Sequence, residues 1–76
     1  MDIDKLKAVF SNSFDLPDEV DWANLRYNEY PAWTSLGHMS LVAAIETEFD
    51  NMLETDDIID MSSFDKSAEI VARHVG

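Results

Sequence analysis

The chain has 76 residues, no cysteine, and 16 acidic residues against five basic ones, a formal net charge of −11. That balance excludes disulfides, thiolate metal sites and cysteine nucleophiles, and its field repels phosphate backbones and anionic lipid, so neither nucleic acid nor membrane is an expected partner. One domain over residues 1–76 is the expected division, with little room for a deep catalytic cleft, because a domain of this size buries only about 60% of its unfolded surface.

The first predicted element is an amphipathic helix over residues 3–14, where Ile3, Leu6, Val9 and Phe10 recur at helical spacing. Asp2 and Asp4 stand at its N-terminus, which the helix dipole favours. The N-terminal MDIDKLKAVF does not have the pattern of a signal peptide, no apolar run reaches membrane-spanning length, and cysteine is absent, so a cytoplasmic location is expected.

Residues 14–34 hold both prolines, Pro17 and Pro31, and no sustained period. A loop of this length is uncommon without a task. Its apolar residues, among them Leu16, Trp22, Leu25, Tyr27, Tyr30 and Trp33, predict that it packs over the core, with one short helical turn within Asp18 to Leu25.

Residues 35–49 form the clearest helix, with a core stripe of Leu41, Val42, Ile45 and Phe49 extending to Met52. Gly37, His38, Ser40, Glu46 and Thr47 are assigned to the opposite side, and Leu36, Met39 and Ala43 to the edge of the stripe. Gly37 is tolerable near a helix start, where it costs at most about 1 kcal/mol against alanine.

TDDIIDM, Thr55 to Met61, predicts a short helix capped by Thr55, with Ile58 and Met61 inward. A last helix over 63–75 is capped by Ser62 or Ser63, keeps its period through Phe64, Ala68, Val71 and Val75, and ends with Arg73, His74 and then Gly76. The expected fold class is all-α: a small four-helix bundle, three longer helices plus one short, with a long loop between helices 1 and 2.

Three chemistries compete for the polar residues. DNMLETDDIID, Asp50 to Asp60, is carboxylate-rich, but Met52 occupies the third position of a calcium loop and the required glycine is missing. His38 and His74 have no partner at ligand spacing and are expected on the surface. Ser35 and His38 are three residues apart, as a nucleophile and base on one helix face would be, yet no acid is placed behind His38 and the Gly-x-Ser-x-Gly turn is absent. Ser35 also opens a helix, where backbone N–H groups favour an attached anion. A plain cap by Thr34 or Ser35 satisfies the same position.

TSLGHMSLVAAIETEF, Thr34 to Phe49, resembles the attachment region of acyl carrier proteins, whose pattern is Asp-Ser-Leu followed by a helix ending in Glu-x-x-Phe or similar. Ser35 and Leu36 match the last two positions of the tripeptide; Leu41, Ile45, Glu46 and Phe49 match the helix. TDDIIDM is similar to the family's third helix and MSSFDKSAEIV, Met61 to Val71, to the beginning of its fourth, so the likeness covers essentially the whole chain. The pattern P-x-W-x-S-L-G-H-M resembles stand-alone carriers of polyketide-type, surface-polysaccharide or other specialised pathways.

The resemblance implies a phosphopantetheine arm on Ser35, installed from coenzyme A by a phosphopantetheinyl transferase, and acyl cargo held as a thioester on its terminal thiol. It implies a non-catalytic, monomeric carrier that visits acyl-loading and acyl-processing enzymes of a fatty-acid-like, polyketide-like or other specialised pathway. The implied docking surface is Leu36, Met39, Ala43, Glu46 and Glu48. The chain departs from the pattern at Thr34, where the family has aspartate, and at Gly37 and Ser40, where many carriers have acids. An unmodified, carrier-like protein-interaction module is the alternative that Thr34 favours.

Overall fold

The computed structural model describes residues 2–75. Among them, helix α1 spans Ile3–Phe14, a 3-10 turn spans Trp22–Asn24, and helices α2, α3 and α4 span Ser35–Phe49, Thr55–Asp60 and Phe64–Val75. Among the described residues the fold is therefore an all-α bundle of three longer helices and a short one, and no helix there is long and apolar enough to cross a membrane.

Each boundary has a local cause. Asp2 caps α1, its Oδ1 accepting from the Asp4 and Lys5 N–H groups at 3.1 and 3.2 Å. Asp15 ends α1 and Asp50 ends α2 in the left-handed conformation, which short polar side chains tolerate. Ser63 caps α4 by accepting from the Lys66 N–H at 3.1 Å. Glu54, and not Thr55, is the N-cap of α3, and its N–H donates to Asp57 Oδ2 at 3.3 Å. Gly76 lies outside the described residues.

The core is one apolar cluster. Leu6, Val9, Phe10 and Phe14 of α1 meet Leu41, Val42 and Ile45 of α2 and Phe64, Ile70 and Val71 of α4. Ile3 stays at the exposed margin of its stripe. Met52 is exposed and Leu53 is buried in its place: the left-handed residue Asp50 resets the chain, so the α2 period does not carry to position 52. In α4 the buried set is Phe64, Ser67, Ile70 and Val71, while Ala68 and Val75 are half-buried.

The aperiodic loop is ordered by specific bonds. The N–H of Tyr27 donates to the Ser62 carbonyl and that of Phe64 to the Leu25 carbonyl, both at 2.9 Å, tying the loop to the start of α4 through the Arg26–Ser63 bridge. Asn28 adopts a positive φ of 65°, and its N–H donates to the Trp33 carbonyl at 2.8 Å. The Trp33 N–H donates back to Tyr30 at 2.9 Å. Residues 26–33 thus close on themselves and set Trp33 fully inside the core, directly before α2.

Candidate functional site

Thr34 is the N-cap of α2, its Oγ1 accepting from the Gly37 N–H at 3.4 Å. Ser35 is the first helical residue, and its hydroxyl is left outside the cap. The residue is exposed, and its Oγ lies 2.9 Å from the phenolic oxygen of Tyr27.

Gly37 makes this placement possible. A Cβ there would stand 2.1 Å from the Ala32 carbonyl oxygen and 3.4 Å from the Phe14 ring. The sequence permits a glycine at this point; the close approach of the loop to the first turn of α2 requires one.

His38 is not on the surface. It is 9% exposed, with Nδ1 2.9 Å from Trp33 Nε1 and Nε2 2.8 Å from the Ile58 carbonyl oxygen. An indole N–H only donates, so Nδ1 accepts and the ring hydrogen sits on Nε2, donated to Ile58. His38 lies three and four residues before Leu41 and Val42, on the face they share. This corrects the assignment of His38 to the side opposite the core stripe. The ring stacks on Trp33 and packs edge-on against Tyr27. With its Nδ1 lone pair engaged by Trp33, it is not arranged as a base for Ser35, whose partner is Tyr27.

Of the five docking residues implied by the resemblance, Leu36, Met39, Ala43 and Glu46 fall on one side of α2 and Glu48 on another. Leu36 and Met39 are 81% and 58% exposed, Ala43 is exposed beside them, and turns of about 100° per residue place the three within one sector. From Ser35 to Ile45 no residue is acidic, so the first three turns of this sector carry no acidic charge. Glu46 borders this sector, three residues after Ala43 and seven after Met39; it is half-buried, and its Oε2 accepts from the Leu53 N–H at 2.9 Å. The Glu46 carboxylate therefore holds the α2–α3 connection. Glu48 lies on the flank toward α1 and lines, with Lys5, Ala8, Val9, Ala43 and Ala44, a groove of about 530 Å³.

His74 is also drawn inward. Its Nε2 lies 2.5 Å from Asp57 Oδ2, and its carbonyl accepts from Asn51 Nδ2 at 3.1 Å, joining α4 to α3 and to the α2–α3 connection. The His74 hydrogen bond holds the Asp57 carboxyl below the usual carboxylate range; partial desolvation opposes this and the Glu54 N–H assists it. Among the described residues no three metal-ligating side chains converge.

Sequence patterning missed Tyr27 as the partner of Ser35, Trp33 as the partner of His38, and the backbone groups of Leu53 and Ile58. The aromatic residues had one signal, their concentration in a long aperiodic loop. The backbone groups had none. The chain matches no protein-family model, no curated protein and no solved structure.

Proposed function

We propose that this protein is an acyl carrier, modified on Ser35 by a phosphopantetheine arm and serving a specialised biosynthetic pathway. The observation that supports it most is the state of Ser35. Its hydroxyl is exposed at the first turn of a helix, Thr34 already supplies the cap, and His38 is committed elsewhere. A hydroxyl so placed is open to a modifying enzyme, and a phosphodiester on it meets the favourable end of the α2 dipole. The resemblance of residues 34–49 to carrier attachment regions supplies the identity of the group.

In this proposal the chain does no chemistry on its cargo. The transferase and the acyl-loading and acyl-processing enzymes approach the exposed sector of Leu36, Met39 and Ala43, next to the arm. Because the first three turns of that sector carry no acid and the Glu46 carboxylate at its border is engaged by the Leu53 N–H, docking is driven by apolar contact more than by charge, which suits partners dedicated to one cytoplasmic pathway. Ordinary fatty-acid enzymes that load and extend this carrier as well as their own would contradict this part.

Coexpression with a broad-specificity phosphopantetheinyl transferase, followed by intact-mass measurement, tests the attachment. The mass rises by one arm in the wild type and stays unchanged in Ser35→Ala. The neutral Thr34 favours a second reading, an unmodified interaction module, and no mass gain with any transferase would select it.

A further inference from the structure

We infer that Tyr27 is a positioning residue for the phosphodiester at Ser35: its phenol sets the hydroxyl before modification and holds the root of the arm afterwards. The inference rests on Ser35 being the attachment site.

Three observations carry it. The Tyr27 hydroxyl is 2.9 Å from Ser35 Oγ, across eight residues of chain. The ring has little freedom: it packs edge-on against Trp33 at 6.4 Å and against His38 at 5.2 Å, and both of those rings are themselves bonded together. The Tyr27 backbone is also fixed, by its N–H donating to Ser62 at the start of α4. A half-buried phenol held from three sides thus meets an exposed serine at hydrogen-bond distance.

The bonding changes in a definite way during modification. Either oxygen can donate across the 2.9 Å contact; when the phenol donates to Ser35 Oγ, the serine hydrogen is free to point outward, toward an approaching base. Oγ attacks the phosphorus of coenzyme A that carries the pantetheine. The Ser35 O–P bond forms as the O–P bond to the leaving adenosine 3′,5′-bisphosphate breaks, and the serine proton passes to a base of the transferase. Oγ is then a bridging ester oxygen and a poor acceptor. The phenol turns its hydrogen to a non-bridging phosphate oxygen of the new phosphodiester, a charge-assisted bond. The arm is then anchored at its root while its distal part stays free.

Tyr27→Phe removes the hydroxyl and keeps the ring. Transferase kinetics on the unmodified protein are expected to show a drop in kcat of roughly 3- to 10-fold with KM unchanged, the scale of one lost hydrogen bond. In the modified protein the phosphorus NMR resonance is expected to shift and sharpen as the phosphodiester gains freedom, while the backbone amide spectrum away from Ser35 is retained. Tyr27→Leu, which also removes ring packing, separates a folding effect by altering the Trp33 and His38 signals as well. Wild-type kcat together with an unmoved phosphorus resonance in Tyr27→Phe overturns the inference while leaving the carrier proposal intact. A wild type that no transferase modifies overturns both.

Discussion

Toward α1, helix α2 buries Leu41, Val42 and Ile45 in a cluster with Leu6, Val9 and Phe10. Toward α3 it presents His38 and Glu46, each bonded to a backbone group of the segment that follows. The first flank depends on area and volume, and many apolar combinations satisfy it. The second depends on direction: each polar atom meets one partner, and loss of either partner strands the other away from water. Ser35 stands where the second kind of order begins, so its position is set by hydrogen bonds and by the space under Gly37 more than by hydrophobic burial.

The largest break in this contrast comes from the apolar flank. Leu41→Ala opens a cavity at a fully buried position and is expected to cost about 3 kcal/mol in urea unfolding, whereas Leu41→Met, which nearly conserves volume, costs less than about 1.5 kcal/mol. Equal losses for the two variants would mean that this flank is as shape-specific as the polar one.

His38→Phe probes the opposite flank. It keeps a ring of similar size but leaves the buried Trp33 N–H and the Ile58 carbonyl without their partner, at an expected cost of about 2 kcal/mol despite the gain in hydrophobicity. Loss of the fixed Trp33 environment should appear in near-ultraviolet circular dichroism. A variant that unfolds at the wild-type urea midpoint would show that the Trp33–His38–Ile58 chain is incidental.

The smallest expected effect lies at the α3–α4 junction. Because the Asp57 carboxyl is held below its ordinary range in the folded state, the stability it contributes is present above the unfolded carboxylate range and is lost as pH falls through the folded value. Asp57→Asn should therefore flatten the acid side of the stability profile and change little at low pH, where Asp57 of the wild type is already protonated. An unchanged acid limb would remove the His74–Asp57 bond from the account.

The same division explains what was legible beforehand. Helices α1 and α2 follow from the recurrence of Leu6, Val9, Phe10, Leu41, Val42 and Ile45, because a solvent-facing helix must repeat its buried positions every turn. Ser35 was legible as the residue that opens α2. His38 was misplaced because a polar side chain normally pays for burial, and its two partners come from a loop and from a carbonyl twenty residues away. The true cap at Glu54 and the inward turn of Leu53 were hidden for a related reason: both follow from the break at Asp50, which depends on backbone conformation and not on residue pattern. Tyr27 beside Ser35 was invisible because it is created by closure of the loop 26–33.

The most direct test of the central claim is peptide-level mass spectrometry after incubating purified wild-type protein with coenzyme A and a broad-specificity phosphopantetheinyl transferase. The account predicts one arm per chain, located on Ser35 and absent from Ser40, Ser62 and Ser63. An arm on another serine, or no arm under conditions that fully modify an accepted carrier, would contradict it.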